Sequence, residues 1–168
     1  MSITNRLRAF FGGDTYHINF TPEQYPIVEG MSARQLYATQ ANLHAVVSFL
    51  ADSVAQLPIK VYVREGETQR RRDRDSDVAK LLWRPNADQT AYEFVNSFVI
   101  EYLLMGVATW WLLPDADSDS GYQLRVIPRE WIVDQKNVTN YAPNKLIIRT
   151  NNGGSIELDD KEFTQLRM

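Results

Sequence analysis

The chain contains no cysteine, two histidines among 168 residues, no apolar run long enough to cross a bilayer and no excess of positive charge. Without thiols it has no disulfides, no cysteine-ligated zinc and no thiol nucleophile, a usage that fits synthesis in a reducing compartment. Neither His17 nor His44 has a second histidine at the spacing that seats a metal on one helix face, so neither a metal site nor a histidine base is expected. The longest apolar stretch, 98–113, is interrupted by Glu101 and Gly106 and reads as a helix followed by a strand. At the N-terminus, Arg6 and Arg8 flank Leu7, but the apolar run at 9–11 is too short for a signal-peptide core, so export is not expected. Eighteen basic side chains against 21 acidic ones give a formal charge of −3, which lacks the basic excess of a domain that holds nucleic acid by neutralising phosphates. No glycine-rich phosphate loop and no G-x-S-x-G elbow occurs, so nucleotide binding and serine catalysis by those routes are set aside, and no cofactor is expected.

Two charged stretches remain. In the loop DADSDSG, Asp115, Asp117 and Asp119 alternate as in a calcium loop. The sixth position is Ser120 where glycine is needed, and the twelfth is Val126 where a bidentate acid is needed, so a solvated acidic loop without calcium is expected. The stretch 64–75, REGETQRRRDRD, holds five arginines against four acids. Arg70, Arg71, Arg72 and Arg74 are candidate DNA contacts, although alternating signs are also the mark of a solvated hairpin loop.

Residues 1–30 show no sustained period and carry five glycines and prolines, so they read as an N-terminal arm, flexible or docked on a neighbour. Its aromatics Phe10, Phe11, Tyr16 and Phe20 are candidate subunit contacts. Residues 31–168 are expected to form a single domain burying about two-thirds of its unfolded surface. A helix is expected over 32–56, with Leu43, Val46, Val47, Leu50, Val54 and Leu57 as its apolar face. A half-buried strand at 59–64 follows Pro58, and a short helix runs from the 73–76 region to Trp83. After Gly106 come strands at 107–113 and 122–127, short strands at 131–134 and 138–141, a hairpin of 145–150 with 155–158, and a closing strand at 162–168. The order gives an α+β fold: helices packed on a mixed, mainly antiparallel sheet, with a C-terminal β-meander. Trp110 and Trp111 point to opposite faces of their strand. At least one of them therefore leaves the core of that face or lies under a helix, which makes both candidate subunit contacts.

The stretch Lys80 to Trp111 says most. Pro85 disfavours helix at Arg84, so a helix stops near Trp83. Thr90 and Glu93 read as a capping box, and Phe94, Phe98, Tyr102 and Met105 then form one helical face that Gly106 ends. The order of Asn42, Ala51, Ala55, Leu57-Pro58, Val61-Tyr62, Leu81-Leu82, Pro85-Asn86, Thr90, Glu93-Phe94, Leu104, Gly106, Ala108, Leu124, Ile127-Pro128 and Trp131 resembles the N-terminal, wing-like half of tailed-bacteriophage portal proteins. The resemblance spans 42–168. Val107 replaces an asparagine frequent in that family, and 162–168 lacks its usual His-Ile pair.

That resemblance implies a non-enzymatic structural subunit of a ring, usually of twelve copies, at one capsid vertex through which double-stranded DNA passes without sequence specificity. Contacts with capsid and scaffold proteins, a packaging motor and a head-to-tail connector are implied as well, with no membrane. The protein would be made in the bacterial cytoplasm from a phage or prophage and reside in the virion. Relatives of this kind continue into channel-lining helices and a motor-docking clip, so this chain is expected to be the N-terminal part of such a protein or a short relative. A small hydrolase is the competing class, but no acid, base and nucleophile converge in the sequence; a monomeric nucleic-acid-binding module is the third.

Overall fold

The computed structural model describes residues 30–139, 142–150 and 152–167, and residues from Ser32 on form one compact unit. Its helices are α1 (Ala33–Thr39), α2 (Ala41–Ala55), α3 (Asp77–Trp83) and α4 (Ala91–Met105). The strands are β1 (Val61–Glu65), β2 (Gln69–Asp73), β3 (Val107–Pro114), β4 (Tyr122–Ile127), β5 (Ile132–Thr139), β6 (Ala142–Arg149), β7 (Ser155–Asp159) and β8 (Phe163–Arg167). They form a β1-β2 hairpin and two three-stranded sheets of order β4-β3-β8 and β5-β6-β7, and every pairing is antiparallel. The fold is α+β and ends in strands, as expected from the sequence.

The centre of the fold is α4 on β3. The Thr90 hydroxyl accepts from the Glu93 N–H at 3.3 Å, and the Glu93 carboxylate accepts from the Thr90 N–H at 2.8 Å, closing the capping box. Those bonds hold the Glu93 carboxyl below its ordinary range. At the other end Gly106 adopts φ 69°, a left-handed conformation that lets the chain turn from helix into β3 without a Cβ clash. Phe94 is buried under this helix, and Phe98 and Trp110 pack beside it. On the opposite face of β3, Trp111 packs on a cluster of Ile127, Ile132, Leu146, Ile148, Leu158 and Phe163. Those residues come from both three-stranded sheets, so β3 lies between a helical layer and a second sheet.

The Pro85–Asn86 turn is tied to that layer. The Pro85 carbonyl accepts from the Leu124 N–H, and the buried Asn86 amide donates to the Leu124 carbonyl at 2.9 Å while its oxygen accepts from the Asp88 N–H at 3.0 Å. With these partners the buried amide carries no unmet desolvation cost.

Three expectations change. The helix over 32–56 is two helices, because Gln40 takes extended angles (φ −99°, ψ 105°) after the Thr39 hydroxyl donates back to the Gln35 carbonyl at 2.8 Å. The short strands at 131–134 and 138–141 are instead a single 3-10 turn at Arg129–Trp131 followed by the continuous β5, whose register shifts between Ile132 and Asp134. The strand near 59–64 is not half-buried: β1 is exposed along nearly its whole length. Helix α1 buries no residue and is held by polar contacts. The Arg34 guanidinium donates to Glu130 at 2.9 Å, the larger cause of its raised pKa, and to the buried Glu101 carboxylate at 2.6 Å, and Tyr37 stacks on His44. Glu101 also accepts from the Arg129 N–H at 2.6 Å, so this one carboxylate joins α1, α4 and the 3-10 turn.

Candidate assembly surface

Each tryptophan of the pair at 110–111 packs on partners within the chain. Trp110 lies against Phe94 and Phe98, with ring centroids at 5.6 and 4.8 Å, and its indole N–H is buried without a hydrogen-bond partner among the described residues. Trp111 is taken up by the inter-sheet cluster. Both are half-buried, so each keeps part of its ring at the surface. The arm residues Phe10, Phe11, Tyr16 and Phe20 lie outside the described residues.

The outward-facing apolar surface lies elsewhere. On α2, Val47, Ala51 and Ala55 are buried, and the Asp52 carboxylate accepts from the Tyr92 hydroxyl at 2.6 Å and the Asn96 amide at 2.7 Å, tying the helix to α4. The bond to Asp52 raises the Tyr92 pKa. The other side of α2 exposes Val46, Phe49 (71%), Leu50 and Val54, and Leu57 (68%) continues the stripe. Of the six apolar residues expected to form the core face, only Val47 is buried. The reason is size: alanines allow α2 and α4 to approach closely, so the small residues turn inward and the large ones are left outside. Asp52 is the one formally charged side chain in fifteen residues, and a helix apolar on both sides normally has cover on both. That absence of charge is the sequence signal that could have exposed this surface.

Trp83 was likewise missed. It ends α3, a seven-residue helix with no buried residue, and is 80% exposed. Three grooves meet at its ring. One of about 450 Å³ is lined by Ile59, Lys60, Arg72 and Arg74; a second of about 450 Å³ by Ala91 and Tyr92; a third of about 360 Å³ by Lys80, Asp115, Asp117 and Asp119. A tryptophan at the end of a short helix, directly before Arg84-Pro85, has too little helix behind it to be buried, which is the signal available in the sequence.

The arginine stretch forms the β1–β2 hairpin. Arg71 pairs with Glu65 at 2.6 Å, which raises its pKa, and Arg64 donates to the turn carbonyls of Gly66 and Glu67. Asp73 holds the turn into α3: its pKa is lowered by the Ser76 side chain and by the N–H groups of Asp75 and Ser76 that it accepts from, while Ser76 caps the helix at the Ala79 N–H. Arg70, Arg72 and Arg74 have no acidic partner among the described residues. The acidic loop is held by its own bonds, Asp115 N–H to the Gly121 carbonyl at 2.9 Å and the Ser118 hydroxyl to the Tyr122 carbonyl at 2.8 Å. Among the described residues no group of three acidic or histidine side chains is placed to hold a metal ion, and no helix is long and apolar enough to cross a membrane.

Among the described residues this surface brings together apolar faces, grooves and charges without ion-pair partners, and no set of reacting groups. A search of curated proteins gives no match. Among solved structures the chain resembles one from the neck of an empty gene transfer agent particle computed with C6 symmetry, with TM-score 0.62, 17% identity, and coverage of 99% of this chain and 42% of the other. It also resembles a chain from the virion of a native gene transfer agent particle, with TM-score 0.59, 17% identity, and coverage of 99% and 41%. The chain thus spans about two-fifths of the length of these structures, and at that identity the likeness establishes the fold. The phage portal protein family model matches residues 41–167, the whole of the chain from α2 through β8, and the chain belongs to that family.

Proposed function

We propose that this chain is the wing-like N-terminal part of a portal subunit, a structural element of a ring at the capsid vertex through which double-stranded DNA passes. The observation that carries the reading is the family match running unbroken through every element from α2 to β8. The molecule's surface supports it: a helix apolar on both sides and a tryptophan 80% exposed are costly in a lone domain and ordinary in a subunit. In this reading residues 31–168 are one domain and residues 1–30 an arm that meets a neighbouring copy. The role is geometric and not enzymatic, with capsid, scaffold, packaging motor and head-to-tail connector as the partners of the assembled ring and the virion as its location. A net charge of −3 suits a conduit, since phosphates held tightly would resist sliding.

Native mass spectrometry and electron microscopy of the protein this chain belongs to test the proposal. Closed rings of one stoichiometry are expected. A protein that stays monomeric at every accessible concentration, or one that hydrolyses a substrate with an active site on this domain, overturns it.

A further inference from the structure

The β1–β2 hairpin is the element least explained by packing within one chain. Its strands make a sheet of their own, and apart from Val61 and Asp73 at its base every residue in them is exposed, Tyr62 and Val63 included. A lone two-stranded hairpin is marginal in water, and among the described residues nothing covers either face of this one, which leaves room for a surface that receives it. Three of its arginines, Arg70, Arg72 and Arg74, also have no acidic partner among the described residues. Asp117 and Asp119 are among the acids with no basic partner in the described residues, and they sit on the self-bonded loop that walls the groove beside Trp83. Within one copy no ion pair joins the two sets.

We propose that the hairpin is an intersubunit arm, with Arg70, Arg72 and Arg74 of one copy docking on Asp117 and Asp119 of the next, beside Trp83. This rests on the ring reading above and names its contact. Hairpin and loop line separate grooves beside Trp83, and a contact in which each copy gives its hairpin to the next and receives one from the previous is heterologous and repeats until a ring closes. Opposite charges fix its register and speed encounter, while Tyr62 and Trp83 supply apolar area. A second copy suits the hairpin better than DNA does. The stretch 64–75 carries four acids among its five arginines, and exposed Tyr62 and Val63 gain nothing from a phosphate backbone.

The absence of cysteine makes the test clean. With Arg70→Cys and Asp117→Cys in the same chain, a short bismaleimide should give a ladder of covalently linked copies, while either single variant gives none. Independently, Arg70→Glu with Arg72→Glu and Arg74→Glu should weaken self-association at least about tenfold, as should Asp117→Lys with Asp119→Lys, and the two sets combined in one chain should restore it. Rings without a ladder, or charge reversals that leave association unchanged, overturn the arm and leave the portal reading intact. Absence of rings in the unsubstituted protein overturns both. If reversal on the hairpin lowers affinity for DNA while rings form normally, the arginines are a nucleic-acid contact and the arm falls.

Discussion

Helices α2 and α4 are each fifteen residues long and largely apolar, and they are used in opposite ways. Helix α4 turns its large side chains inward, Phe94 and Phe98 onto Trp110, and is covered by the chain's own sheet. Helix α2 turns its small ones inward, Ala51 and Ala55, and leaves Phe49 and Leu57 outside. The periodicity of apolar residues shows that a helix needs cover; the sizes along each face show which side its own body covers. The outer side of α2 is apolar surface that nothing among the described residues covers.

The largest effect should come from breaking the inner helix. Phe94→Ala should cost about 3–5 kcal/mol, because a fully buried ring is lost between helix and sheet and the site is closed on both sides. Phe49→Ala on the outer face should change stability by less than about 0.5 kcal/mol. Chemical denaturation of both variants measures the pair, and equal costs would abolish the distinction between the helices. Next in size, Thr90→Ala should cost about 1 kcal/mol through loss of the cap to the Glu93 N–H. A cost near zero would mean that water replaces the hydroxyl and that α4 is held by packing alone.

Helix α4 is legible in the sequence because its signals are local: a capping box at one end, a glycine at the other and a single apolar face between. The pairing of β8 with β3 is not, since it joins Val107 to Arg167 across most of the C-terminal half and nothing in either strand names the other. Strand β2 is hidden for another reason. QRRRD has the composition of a loop, and it becomes a strand because the turn at Gly66, φ 77°, folds it back onto β1. The assembly surface is half legible. The arginine stretch and acidic loop stand out as charge, whereas Phe49 and Trp83 have the character of core residues, and only the packing reveals that nothing described in the chain covers them.

A smaller effect separates the C-terminal strands from the rest. Lys145 and Lys136 both donate to Glu157, on neighbouring strands, and hold its carboxyl at about 2, down from an ordinary 4.5. A carboxyl whose pKa is lower folded than unfolded stabilises the fold fully above its ordinary value and loses that contribution as pH falls from 4.5 towards 2. The site is exposed, so the loss should be modest and screened by salt. Glu157→Gln should flatten this part of the acid denaturation curve. An unchanged curve would remove the Lys145–Glu157–Lys136 cluster from the account of stability.

The smallest expected change in stability belongs to the residue expected to matter most in assembly. Trp83 is 80% exposed at the end of a helix that buries nothing, so Trp83→Ser removes almost no buried area and should shift the melting temperature of the isolated chain by no more than about 2 °C. Trp110→Ser is the interior counterpart. It strips the ring from beneath Phe94 and Phe98 and should destabilise the isolated chain measurably, by less than the ~3–5 kcal/mol of a fully buried aromatic because Trp110 is half-buried. In ring assembly the order should reverse per unit of stability lost, because tryptophans that fill a partner's groove carry a large share of contact energy. Particle mass of the Trp83→Ser protein decides the matter: dissociated copies with an unaltered melting curve place Trp83 in the contact, whereas intact rings would make it an incidental exposed aromatic and leave the outer face of α2 as the remaining apolar contact.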